Sequence, residues 1–158
     1  MEQYLAIYSA IASLLGLLAV TDVMNRHNVP KEYVYFFGVI CFISTLAQVF
    51  LFREAFNPIM LGFSVVGIGV LALSMNFLRM WGDADMFVAM GLAFVAYPIA
   101  FLALFFAVGL YVVYRTPKWL KNDLRRPHEE VAFLPFIFLG FLLAWGGVCL
   151  SFGRLAFC

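Results

Sequence analysis

The chain has 158 residues, 65% of them hydrophobic and only 12% charged, with a formal net charge of +1. A soluble domain carries about 45–50% apolar and about 25% charged residues, so this composition excludes a soluble enzyme, a disordered tail and a nucleic-acid binder with a basic face. Length allows a single domain, 1–158, and what remains is an integral membrane protein whose first partner is the lipid bilayer.

A helix crosses the hydrocarbon core with about 20 mostly apolar residues, roughly 17–25. In chain order such runs fall at Tyr4–Thr21, Tyr33–Phe52 and Pro58–Leu78, with a last one at Val131–Phe152. Between them Met86–Tyr114 is apolar but too long for one upright span. Pro98 stands near its middle, and proline, lacking an N–H and clashing with the preceding turn, bends or breaks a helix. Two short spans are expected there, 80–96 and 98–114. The predicted fold is therefore all-α, with six transmembrane helices. The runs are solidly apolar rather than alternating, which argues against a β-barrel.

Charge placement sets the orientation. With both termini on the outer side, the inner loops hold Arg26, Lys31, Arg79, Arg115, Lys118, Lys121, Arg125 and Arg126, and the outer side only Arg53 and Arg154. That is the positive-inside bias of a multi-pass protein of the cell membrane. A single span at Met86–Tyr114 would move the Arg115–Arg126 cluster outside and reverse the bias. Lys118, Lys121, Arg125 and Arg126 are expected at anionic head groups, with Trp119 in the interface. The chain opens with Glu2, and no small-residue site follows its first apolar run, unlike a cleavable signal peptide. Cys41 and Cys149 fall inside spans and Cys158 is last. Their spacing suits neither a zinc site nor a disulfide framework, so they read as packing residues. His27 and His128 have no second ligand at metal spacing.

Of the nine acidic residues, three need a reason. Asp22 ends the first span, and Asp83 and Asp85 begin the fourth, in Trp81-Gly82-Asp83-Ala84-Asp85-Met86-Phe87. An ionised carboxylate at membrane depth costs several kcal/mol or more. The first and third spans both run inward, so Asp22 and the Asp83/Asp85 pair arrive at the same, inner face. Like charges a few ångströms apart do not both ionise easily, so one keeps its proton. The protonated acid can donate to a peptide carbonyl while the ionised one takes a proton from water, which is the equipment of metal-free aspartyl hydrolysis. A blander reading stays open: Asp22 as an interfacial residue, and Asp83 or Asp85 as the cap of the following helix. Asp83 and Asp85, two apart, point to different sides of a helix, so at most one faces Asp22.

Gly82-Asp83-Ala84-Asp85 resembles the GxGD signature of intramembrane aspartyl proteases, with Ala in place of the second glycine. The whole chain looks like the type IV prepilin peptidase family, and most like its short archaeal preflagellin and prepilin peptidase branch. Asp22-Val23-Met24-Asn25-Arg26-His27-Asn28-Val29-Pro30 is similar to the family's first catalytic segment. Val131 to Gly140, with Pro135-Phe136, is similar to its last span, without the first proline of the Pro-Phe-x-Pro-Phe form. Phe87 and Lys31 stand where many relatives carry lysine and asparagine. The resemblance implies that Asp22 and Asp85 are the catalytic pair. It matches Gly82 and Ala84 to small residues that let the helix start approach its neighbour. Asp83 takes the variable position and is expected to cap or to hydrogen-bond locally. No CxxC pair is present, so neither zinc, nor another cofactor, nor methyltransferase activity is expected.

The implied activity is removal of the short basic leader (class III signal peptide) from prepilin or preflagellin precursors at the cytoplasmic face, with Asp83, Glu129 or Glu130 attracting the leader. Nucleic acid is not an expected partner, and oligomeric state is left open. Two other classes remain. A small ion- or proton-coupled transporter would use intramembrane aspartates but would show repeats, and none is visible. A non-enzymatic scaffold would use Gly62, Gly67 and Gly69 for helix packing.

Overall fold

The computed structural model describes residues 2–25, 29–51, 56–77, 81–97, 99–120 and 133–155. These form helices α1 (Glu2–Met24), α2 (Lys31–Leu51), α3 (Pro58–Phe77), α4 (Asp83–Val95), α5 (Ala100–Leu120) and α6 (Leu134–Leu155). No strand occurs among the described residues. By length and composition three helical segments are long and apolar enough to cross a membrane: Ala6–Met24, Lys31–Leu51 and Pro58–Met75. Ala100–Thr116 and Leu134–Leu150 are shorter apolar stretches.

Local sequence explains the helix ends. Asn57 caps α3, its Oδ1 accepting the N–H groups of Ile59 and Met60, both at 3.1 Å. Pro58, whose missing N–H would have been an orphan anyway, takes the first helical position. α6 begins at Leu134, because the Phe133 carbonyl accepts the first bonds, from Phe136 and Ile137. Pro135 fits the first turn, where no N–H is needed. The expected start at Val131 lies outside the described residues. The break expected around Pro98 lies between Val95 and Ala100; Pro98 itself lies outside the described residues.

α4 is shorter than the expected span 80–96, because Gly82 is extended (φ −80°, ψ 168°) and the helix starts after it. Thirteen residues make a rod of about 20 Å, against a hydrocarbon core of about 30 Å. α5 runs to Leu120, beyond the expected end at Tyr114, carrying its last turns into the polar segment. Lys121, Asp123, Arg125, Arg126, His128, Glu129 and Glu130 lie outside the described residues, as do Arg26, His27, Arg53, Arg79 and Cys158.

Cross-helix contacts fix the helix directions. Tyr35 meets Phe87 edge-on at 6.2 Å and Gln48 bonds Val95, so α2 and α4 run parallel. Asn57 bonds Tyr97 and Gly69 lies beside Met90, so α3 opposes α4. Tyr111 packs on Phe133 and Phe136 while Gly140 lies against Ala103 and Ala107, so α5 opposes α6. Tyr8 meets Phe141 and Trp145 and Gly16 meets Phe138, so α6 opposes α1. Trp81 stacks on Phe133, which puts the starts of α4 and α6 together. The six helices therefore alternate in direction. The ends of α1, α3 and α5 gather with the starts of α2, α4 and α6 at one end, called here the aspartate end.

α4 packs between α2 and α3, and α6 between α5 and α1. The core runs through Ile11, Leu15, Phe37, Leu92, Ile137 and Phe141. Outward faces carry bare large side chains, among them Phe50, Phe63 and Phe77, each at least 70% exposed. α3 buries only a stripe of Ser64, Ile68 and Ala72 among its described side chains. Water does not tolerate contiguous apolar surface on that scale in a monomer; lipid solvates it.

Candidate active site

Asp22 lies in the last turn of α1 and is 4% exposed. This is the wrong end of a helix for a carboxylate: the partial negative charge of the C-terminus disfavours an anion there. Burial adds several kcal/mol for an ionised acid. Thr21, beside it, turns its hydroxyl back to Leu18 O at 2.8 Å, and Asn25 N–H closes on Thr21 O at 2.9 Å, so the turn that presents Asp22 is fully wound.

Asp85 is the third residue of α4 and half-buried. Its Oδ2 accepts the Gly82 N–H at 3.0 Å. This is the reciprocal half of a capping box; Gly82, without a side chain, supplies no other half. The carboxylates of Asp22 and Asp85 lie within electrostatic range of each other. Residues more than sixty positions apart thus lie at the same end of the bundle, on different helices. Asp83 is exposed and stands apart from that pair, as its two-residue offset requires.

Two expectations about the signature need correction. Asp83 does not cap α4: the N-cap is Gly82 and the carboxylate that bonds its N–H belongs to Asp85. Nor does Gly82 permit a close helix approach. It is exposed, its backbone is one that any residue adopts, and among the described residues a Cβ added there would meet only Asp85 Oδ2, at 3.7 Å. Ala84 is half-buried and packs against the core. Close approach occurs elsewhere. At Gly91 of α4 an added Cβ would fall 2.9 Å from Phe37 Cε1 and 3.2 Å from Cys41 Sγ. Of the three glycines expected at helix packing, Gly67 faces Phe101 and Gly69 faces Met90, while Gly62 has nothing within 4 Å among the described residues.

Trp81, almost fully buried, anchors the start of α4. Its ring lies 5.1 Å from Phe133, which meets Tyr111 at 5.4 Å, and the Arg115 guanidinium sits 5.7 Å from the Tyr111 ring centre. At the other end of α4, fully buried Gln48 donates Nε2–H to Val95 O at 2.7 Å. Neither role was read from the sequence. A glutamine inside the apolar run Tyr33–Phe52 was the available signal for the second; the first had none beyond a tryptophan next to the signature. Cys41 is buried against Gly91, in a packing position, and Cys149 is half-buried. Among the described residues no three His, Cys, Asp or Glu side chains gather as a metal site would need.

Chemically, two acids with a shared approach can hold one proton between them and activate a water. Gly82 and Asp83 beside them are exposed. Comparisons with family models, curated proteins and solved structures returned no match for this chain.

Proposed function

We propose that the chain is a membrane-embedded aspartyl endopeptidase that removes the short basic leader from prepilin or preflagellin precursors at the cytoplasmic face of the cell membrane. The observation that carries this reading is a buried carboxylate, Asp22, in the last turn of α1, within electrostatic range of Asp85 on α4. Six passes with both termini outside are supported by the alternating helix directions together with the basic residues between the first and second, the third and fourth, and the fifth and sixth apolar runs. The short α4 favours the same chemistry: a rod of about 20 Å brings the acids just below the head groups, where water reaches them and a peptide bond can be unwound.

In this mechanism the ionised acid takes a proton from a water, whose oxygen attacks the scissile carbonyl carbon. The protonated acid donates to the carbonyl oxygen. The tetrahedral gem-diol intermediate collapses as the carbon–nitrogen bond breaks: the departing nitrogen takes the proton that the first acid gained from water, and the second acid takes one back from a gem-diol hydroxyl as the carbonyl re-forms. Both acids thereby return to their starting charge states.

A second reading, a non-enzymatic scaffold, has one observation in its favour: Asp85 already has local work, accepting the Gly82 N–H. Purified protein incubated with precursor candidates, with the cut position read by mass, decides between them. Asp22→Asn and Asp85→Asn each abolish cleavage and Asp83→Asn keeps most of it. No cut by the parent protein, or a fully active Asp85→Asn, refutes the peptidase reading.

A further inference from the structure

α1 and α4 carry the two acids, yet the helices barely touch along their lengths; α4 leans on α2 and α3 instead. The separation of Asp22 and Asp85 is therefore set indirectly, by where α4 is held. Its fully buried face interleaves Ala89 and Ala93 with Val88, Leu92 and Val95. Specific contacts with its neighbours add to that packing.

Two of these come from α2. Phe37 enters the notch left by Gly91. Gln48 bonds Val95 O, the last carbonyl of α4. In a continuous helix Val95 O would take the Ile99 N–H, but that group goes to Ala96 O at 2.9 Å. Where a membrane helix breaks, a freed carbonyl needs a donor from a neighbour, and Gln48 is that donor. Packing alone does not explain a glutamine here. Its Oε1 is buried with no hydrogen-bond partner among the described residues, a cost that an apolar side chain of the same size avoids.

We infer that Gln48 is a positioning residue: by tying the broken end of α4 to α2 it sets the axial register of α4, and through that rigid helix the place of Asp85 opposite Asp22. Ten residues separate Asp85 from Val95, about 15 Å of helix, so a slip at one end appears undiminished at the other. The inference rests on reading Asp22 and Asp85 as the working pair.

The test measures register without substrate. Spin labels at Asn25→Cys and Asp83→Cys, both exposed positions flanking the two acids, report the distance from α1 to α4 in a protein whose own cysteines are replaced by alanine. The parent background gives one narrow distance. Gln48→Met keeps length and volume but has no donor; its distance broadens and shifts by at least one residue's rise, about 1.5 Å. Gln48→Glu introduces a carboxyl that stays protonated in so apolar a place, and its O–H can replace the lost donor, so the narrow distance returns. If Gln48→Met does not fold, Gln48→Asn takes its place, with the amide one methylene short of Val95. An unchanged distance without the donor overturns the inference, and so does Gln48→Glu behaving like Gln48→Met. In the cleavage assay Gln48→Met lowers kcat by on the order of 10²-fold, the cost of an ångström-scale misplacement, with KM nearly unchanged; an equal loss in both parameters contradicts positioning. Absence of cleavage by the parent would defeat the peptidase reading while the distances still test the register.

Discussion

Gly140→Ala is the most informative stability test, because its result separates glycines that pack helices from the glycine of the signature. A Cβ at Gly140 would fall on Ala103 O, 2.7 Å from Ala107 N and 3.1 Å from Ala107 Cβ. Two of these three atoms belong to the backbone of α5 and cannot rotate away. α5 and α6 must part at that level, along the most extensive helix pair in the bundle. Overpacking costs about 1–3 kcal/mol, and immovable neighbours put this case at the upper end, about 3 kcal/mol. A gap of only 0.5–1 Å forfeits about a quarter to a half of each dispersion contact it opens. Among the described residues Gly82→Ala meets nothing closer than 3.7 Å, and it loses the N-cap preference of glycine over alanine, about 1 kcal/mol or less. Reversible unfolding in mixed micelles of rising SDS fraction, followed by tryptophan fluorescence, measures both. If Gly140→Ala is as stable as Gly82→Ala, the close approach of α5 and α6 at Gly140 is wrong.

Asp85→Asn keeps an acceptor for the Gly82 N–H, so its stability stays within about 0.5 kcal/mol of the parent while cleavage is lost; Asp85→Ala loses both, as paired unfolding and cleavage assays would show. Trp81→Ala empties a nearly fully buried ring site against Phe133 and costs about 3–5 kcal/mol, whereas Trp81→Phe keeps most of it; equal stability of the two in the same SDS titration contradicts the anchor. The pH–rate profile of cleavage is bell-shaped, falling on the acid side when both carboxyls are protonated and on the alkaline side when both are ionised. A rate that climbs with pH until the protein unfolds would exclude a shared proton.

The helices were legible in the sequence because apolar length and proline are local signals. Pro58 and Pro135 fall in the first turns of α3 and α6, and the expected break around Pro98 lies between Val95 and Ala100. Bounds were legible only to a few residues. The start of α4 depends on an extended Gly82, and α5 continues past Tyr114 because helical hydrogen bonding does not stop where hydrophobicity does. The juxtaposition of Asp22 and Asp85 could be argued from topology alone, since helices that alternate in direction deliver both to one end. The division of labour around them could not. Which of Gly82, Asp83 and Asp85 supplies the cap is settled by backbone angles and a 3.0 Å bond, and neither leaves a mark on composition. Gln48 was visible as a polar residue in an apolar run, but its partner is a carbonyl freed by a break in another helix, forty-seven positions away.

The cap and the proposed chemistry do not compete for Asp85. A carboxylate has two oxygens with about four acceptor sites, and the Gly82 N–H occupies one of them, on Oδ2. That bond fixes the carboxylate plane relative to the first turn of α4, which is what a residue sharing a proton with a partner on another helix requires: orientation held by one oxygen, exchange left to the other. Asp22 sits instead at a helix end that disfavours its charge. The asymmetry explains why the pair straddles two helix ends. Asp85 is held by its own helix, so the spacing between the two acids answers to whatever sets the position of α4. A site built this way is adjustable by small movements of one short helix, and the contacts that hold that helix, Trp81 at its start and Gln48 at its end, become as consequential for the chemistry as the acids.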